Sequence, residues 1–207
     1  MNKLARVLLQ MTESRVVTPD RRGGNIVILM GSPGSGKSMI TKFGLINLGN
    51  LVTLSSDVWT ELSAKRAGED VKDPDITYKH HELVSDKHKA MVSKSILSGR
   101  RDANYMLEVT GKSFASLVSK IETLRESGLR IILVHVKVPL RVAIAGNLSR
   151  DRQVPNDMLV AAHNSATRNF ELALPTVDEG WIINNWAGDR YPLFGDFRSS
   201  DLIQRVK

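Results

Sequence analysis

Residues 25–30 (NIVILM) are apolar almost without a break, and a polar, glycine-rich turn follows at once. A run this short with no polar face marks a strand covered on both sides. The turn leads into a helix predicted over Lys37–Leu48. The same alternation then repeats along the chain. Leu51–Leu54 reads as a strand closed by Ser55, Ser56 and Asp57, each able to cap the helix expected over Val58–Ala67. Asp75–Leu97 reads as a long polar helix, and Ala103–Val109 as a strand. Ser113–Ser127 is amphipathic at helical spacing and is ended by Gly128. Arg130–Val138 (RIILVHVKV) is the strongest strand pattern, stopped by Pro139. Helices over Leu140–Ser149 and Asn156–Leu172 and a short last strand, Trp181–Ile183, complete the series. Asn2–Met11 has the pattern of a short amphipathic helix, and Thr18–Asn25 (TPDRRGGN) that of a connector.

Strands alternating with helices specify an α/β fold, a mainly parallel sheet with helices on both faces. This pattern divides the chain into an N-terminal helix and connector (1–24), a main α/β domain (25–185) and a C-terminal tail expected to pack on it (186–207). Ligands on such sheets bind at the carboxyl ends of the strands. The residues just after each strand are therefore the candidates for chemistry.

Composition narrows the field. The chain has 207 residues, 42% hydrophobic and 25% charged, which suits one globular domain. Aromatics are 5%, so aliphatic side chains must build the core. Cysteine is absent, which excludes disulfides, thiolate metal sites and a cysteine nucleophile. No run approaches the roughly 18 apolar residues of a membrane span. The expectation is a soluble, cytoplasmic protein without membrane contact. The net charge of +7 favours an anionic ligand such as a nucleotide, a nucleotide-sugar or nucleic acid, without choosing among them.

The turn after the first strand is Gly31-Ser32-Pro33-Gly34-Ser35-Gly36-Lys37-Ser38. It matches G-x-x-x-x-G-K-[ST], the phosphate-binding P-loop (Walker A) pattern, in the strand-to-helix context the pattern requires. Glycines let successive backbone N–H groups converge on one anion. The helix N-terminus adds its positive dipole. Lys37 supplies a mobile charge to the β- and γ-phosphates. Ser38 offers a hydroxyl to Mg²⁺. The loop therefore predicts a bound nucleoside triphosphate, ATP or GTP, with Mg²⁺.

Other strand ends supply the remaining candidates. Asp57 follows the second strand, where a carboxylate can orient an acceptor hydroxyl and take its proton late in phosphoryl transfer. The competing role is a helix cap. Glu108 and Thr110 end the third strand, a place for substrate or Mg²⁺-water contact, or for a solvated edge. A strict Walker B acid is missing, which argues against an ATPase motor. Arg150 and Arg152 stand where a lid would close over the phosphates. Residues two apart share a face in extended chain but not in a helix, so both reach phosphate only if the helix ends near Ser149. Arg141 is a weaker candidate, and Arg190 could touch the base. His80, His81, Glu82 and His88 imitate a metal site but lack H-E-x-x-H spacing; a polar, solvated or substrate-facing helix is expected there. Trp181 and Trp186 read as packing residues.

The P-loop at 31–38, the strand ending at Asp57, Leu-Glu-Val-Thr-Gly-Lys at 107–112, and Val138-Pro139-Leu140 through Arg150-Asp151-Arg152-Gln153-Val154-Pro155 together resemble the zeta toxin family of P-loop kinases. The resemblance spans about residues 25–185. It implies ATP- or GTP-dependent phosphorylation of a sugar hydroxyl on a UDP-N-acetylamino-sugar. It further implies Lys37 on the phosphates, Asp57 as base, Glu108 and Thr110 near substrate, and lid arginines on the transferring group. An antitoxin-like protein partner belongs to the family picture and is not specified by the residues. The family's paired lid arginines stand further apart than Arg150 and Arg152.

Three functions compete. A small-molecule kinase of zeta type predicts turnover stimulated by UDP-amino-sugars. A nucleic-acid kinase, acting on a 5′-hydroxyl or a modified base, predicts salt-sensitive DNA or RNA binding. A nucleotide-binding switch predicts tight binding with negligible transfer.

Overall fold

A computed structural model describes residues 24–42, 46, 48, 51–54, 56–70, 73, 75–76, 78–84, 103–150, 153–186 and 203–207, with the backbone alone at 42 and 56–58. The helix expected over Asn2–Met11 lies outside these residues, as do most of the connector, the end of the 75–97 segment and most of the tail.

Six strands form one sheet in the order β2-β3-β1-β4-β5-β6. They are β1 (Asn25–Met30), β2 (Leu51–Leu54), β3 (Asn104–Val109), β4 (Arg130–Lys137), β5 (Glu179–Asn184) and β6 (Ile203–Arg205). The first five run parallel, and β6 pairs antiparallel to β5. The α/β expectation is met. β1 sits in the middle, and all six of its residues are buried. That explains its unbroken apolar run, because a central parallel strand has no solvent face.

Successive side chains of one strand point to opposite faces, and two cores result. Ile26, Ile28 and Met30 of β1 join Ile131 and Leu133 of β4 on one face. Val27 and Leu29 join Ile132, Val134 and Val136 on the other. The first face is covered by α3 (Phe114–Glu126) and α5 (Asn156–Ala173), through Leu117, Ile121, Leu124, Ala166, Phe170 and Ala173. Ile40 of α1 (Lys37–Lys42) covers the second. Burying one such aliphatic chain contributes about 1.5–3 kcal/mol. Ser113 caps α3 by accepting from the Ser116 amide at 3.2 Å. Gly128, at φ 70°, ends it as expected.

Four boundaries differ from the sequence reading. Ile46 and Leu48 lie outside the helix that begins at Lys37. α2 (Ser56–Ala67) begins before Val58, so Asp57 is inside its first turn and is not its capping residue. β5 extends beyond 181–183 at both ends. Finally, residues 203–205 of the tail add an edge strand, with Trp181 opposite Arg205. The Arg205 guanidinium lies 5.9 Å from the centre of the Trp181 ring. No described helix is long and apolar enough to cross a membrane. A further helix is α4 (Leu140–Leu148).

Candidate active site at the carboxyl edge of the sheet

The parallel register brings the critical strand exits to one edge. Met30 of β1 is level with Val109 of β3 and with His135 of β4, and Leu54 of β2 is level with Leu107. The P-loop, the Glu108–Thr110 exit and the turn into Asp57 therefore lie side by side in strand order.

The loop is fixed from both ends. The Gly31 amide donates to the Val109 carbonyl at 3.2 Å, and the Ser35 amide to the Ser32 carbonyl at 3.1 Å. Amides of Met39 and Ile40 donate to the Gly36 carbonyl, which starts α1. Gly34 and Gly36 have φ of 75° and 84°, a region open mainly to glycine. Lys37 Nζ donates to the carbonyl oxygens of Gly31 at 2.6 Å and Ser32 at 3.2 Å. Ser32, Pro33 and Ser35 are buried in the loop, whereas Ser38 is exposed in the first turn of α1. The oxygen donors here, the exposed Ser38 hydroxyl and the half-buried Glu108 carboxylate, suit Mg²⁺, which prefers one or two protein oxygens and keeps its waters. Among the described residues no group of three His, Asp or Glu could hold a metal.

The other predicted residues divide. Glu108, level with Leu29, is half-buried, and Thr110 is exposed. Asp57 sits at the start of α2, its side chain outside the described residues. Arg150 is exposed just beyond α4, which ends at Leu148 as shared lid contact requires. Arg152, Arg190 and His88 lie outside the described residues. Asn147 is tied to Val154: its amide donates to the Val154 carbonyl at 2.8 Å and its oxygen accepts from the Val154 amide at 3.0 Å. Trp181 is packed against the second core, and Trp186 is exposed.

The histidine segment needs a correction. His80 is buried, not solvated. Its Nδ1 meets Ser63 Oγ at 2.8 Å and its Nε2 meets Glu69 Oε2 at 2.6 Å. Hydrogen bonds from Lys79 and His80 hold the Glu69 carboxyl below its ordinary range. His81 lies against Thr60 at 3.4 Å. These contacts tie residues 78–84 to α2 and the turn after it.

Sequence reasoning missed four residues at the site. Asn185, just after β5, donates from Nδ2 to the Ser35 carbonyl at 2.9 Å and so braces the P-loop. Asn169 of α5 donates to the carbonyls of Gly111 at 2.7 Å and Lys112 at 3.2 Å, fixing the β3 exit. His163, also on α5, places Nδ1 3.3 Å from Ser32 Oγ. Beneath it His135 of β4 is buried, its Nε2 3.2 Å from Thr167 Oγ1 and its ring stacked on Phe170 at 5.3 Å. A strand-end rule applied to the full β5 would have found Asn185. The histidines carry no local signal.

Burial pushes the His135 pKa down to about 4, and the nearby Lys137, His163 and Lys37 reinforce the shift. A folded-state value below the unfolded one means that acid protonates the unfolded chain first. The contribution is therefore whole above about 6.5 and is lost progressively as pH falls towards 4. The expected loss is about 3 kcal/mol, from the separation of the two values. Urea midpoints measured from pH 7.5 to 4 should fall more steeply for the wild type than for His135→Phe. Parallel curves would show that His135 is not the group responsible.

Residues 26–173 match the protein family described as the AAA domain. The chain belongs to this family. No curated protein sequence matches this AAA-domain chain. Solved structures do. A chain of the PezAT chromosomal toxin–antitoxin system of Streptococcus pneumoniae is similar with a TM-score of 0.60 at 14% identity, covering 87% of this chain and 76% of that one. The AvrRxo1-ORF1:AvrRxo1-ORF2 complex with ATP is similar with a TM-score of 0.58 at 13% identity, covering 88% and 63%. The Pnkp1/Rnl/Hen1 RNA repair complex has a TM-score of 0.56 at 18% identity, covering 75% and 48%. The AAA-domain chain thus spans less than two thirds of the latter two. It has the fold of a P-loop phosphotransferase, and the zeta-toxin resemblance holds at the level of that fold.

Proposed function

We propose that residues 25–185 form a kinase that transfers the γ-phosphoryl group of ATP or GTP to a hydroxyl on a nucleotide-sugar, a UDP-N-acetylamino-sugar. The observation carrying this reading is the alignment of the P-loop with the neighbouring exit of β3 and, one strand further, the exit of β2. A triphosphate cradled by 31–38 would present its γ-phosphate towards Glu108, Thr110 and the turn bearing Asp57. The acceptor oxygen forms a bond to phosphorus as the bond to the β-γ bridging oxygen breaks. The hydroxyl proton passes to the Asp57 carboxylate, and the diphosphate leaves. Lys37 neutralises charge on the phosphates. Arg150 and Arg152, on the segment clasped by Asn147, close over the transferring group and exclude water. Ser38 would hold Mg²⁺, which supplies charge neutralisation at the phosphate oxygens. The site is a cytoplasmic one in this reading, where nucleoside triphosphate is plentiful. The toxin–antitoxin setting of one similar structure supports an antitoxin-like protein partner.

The charge of +7 and the fold shared with a chain of an RNA repair complex favour a second acceptor, a nucleic-acid hydroxyl. Labelled ATP offered separately to UDP-amino-sugars and to hydroxyl-terminated oligonucleotides decides between them. Label on the sugars is the expected result. Label on the oligonucleotides selects the second reading, and label on neither selects a nucleotide-binding switch.

A further inference from the structure

Helix α5 touches both walls of the site along one stripe. His163 meets Ser32 of the P-loop, Ala166 lies against Gly111, and Asn169 holds the carbonyls of Gly111 and Lys112. Spacings of three residues place these positions along neighbouring turns. Thr167, four residues from His163, continues the polar contact inward to His135. Ser32 also marks the γ end of the cradle. Its carbonyl accepts from Lys37 Nζ at 3.2 Å, and that ammonium is the group that reaches the β- and γ-phosphates.

We propose that His163 is a phosphate-facing positioning residue that favours a triphosphate over a diphosphate in the P-loop by taking up a proton when the γ-phosphate arrives. The proposal rests on the phosphotransfer reading above. Its ring is half-buried, with Nδ1 engaged by Ser32 Oγ. Burial holds its pKa below the ordinary histidine value, so the imidazole is mainly neutral near pH 7. An anion brought beside it favours the charged form. A diphosphate, which leaves the γ position empty, does so far less.

The titratable groups on the surrounding elements are Lys37 at the P-loop, Arg130, His135 and Lys137 on β4, Tyr105 and Glu108 on β3, Lys112 after it and Arg141 on α4. On α5 itself they are Asp157, Arg168 and Glu171, while the first turn of α3 has no charged residue. His135 stays neutral down to about pH 4 and does not titrate across the range tested.

The experiment compares wild type with His163→Asn, which keeps hydrogen-bonding capacity towards Ser32 and cannot titrate. Dissociation constants for fluorescent ATP and ADP analogues are measured from pH 5.5 to 8.5. A rise of about one unit in the His163 pKa on binding gives about tenfold tighter ATP binding at the acid end. Wild type is expected to show that gain and His163→Asn to lack it, with ADP showing no comparable acid gain in either protein; the γ-phosphate's own titration is common to both proteins. Equal slopes in the two proteins, or equal shifts for ATP and ADP, would overturn the proposal. In wild type alone, the His163 Cε1–H resonance should titrate at higher pH with a non-hydrolysable ATP analogue than with ADP, a readout independent of how His163→Asn folds. Wild type that binds neither nucleotide overturns the phosphotransfer reading and this proposal with it.

Discussion

Lys37→Ala is expected to lower phosphoryl transfer by about 10²–10³-fold or more while leaving the chain folded. The magnitude follows from what the ammonium does. Charge moves onto the bridging and γ-oxygens as the transferring bond loosens, and a cation already aimed at them needs no reorganisation. Lys37 is already held in place at the loop. Its Nζ donates to the Gly31 and Ser32 carbonyls, so its tip is fixed at the mouth of the cradle.

The folding side is small by comparison. The side chain is partly exposed, and its loss removes hydrogen bonds to the Gly31 and Ser32 carbonyls. Each is worth about 1 kcal/mol, and a domain of this size loses about 2–4 °C in Tm per kcal/mol. Label transfer from ATP and a circular-dichroism melt on the same preparation separate the two effects. Turnover at the wild-type rate would remove Lys37, and with it the P-loop, from the chemistry. A collapsed melt would show that the lysine holds the loop together instead.

The features legible in the sequence were those encoded locally. The run Asn25–Met30 is apolar on both faces because β1 is the central strand, and the cradle from Gly31 to Ser38 is written in eight consecutive residues. Contacts made over long separations were not legible. Ser32 and His163 are 131 residues apart, and Ser35 and Asn185 are 150 apart. No spacing rule reaches that far. His80 misled for a related reason: a polar helix reads as solvated, but Ser63 and Glu69 satisfy both ring nitrogens and let it be buried. Three residues of β6 are too few to show an alternation, and their strand state comes from pairing with β5. Asp57 carried a capping reading beside the favoured catalytic one, and α2 starts at Ser56, which removes the capping role at that position.

Gly34→Ala is expected to be among the most destabilising single substitutions in the site, although it adds one methyl group. Gly34 has φ of +75°, and a Cβ built there would lie 2.0 Å from the Ala143 carbonyl oxygen and 2.8 Å from the Asn147 amide nitrogen. Both are backbone atoms of α4, so no side chain can swing aside. Left-handed strain costs about 1–2 kcal/mol, and forced repacking adds about 1–3 kcal/mol. The displaced helix carries Asn147, whose clasp on Val154 shapes the segment bearing Arg150. Nucleotide affinity should therefore fall along with stability. Gly68→Ala is the matched control: φ is +71° there, but nothing lies within 4 Å of the added carbon. It should show the strain without the collision. Urea midpoints for the two substitutions test this directly, with Gly34→Ala expected to lose at least twice as much, roughly 2–5 kcal/mol against 1–2. Equal losses would mean that α4 does not press on the P-loop at Gly34, and the proposed coupling between cradle and lid would lose its physical basis.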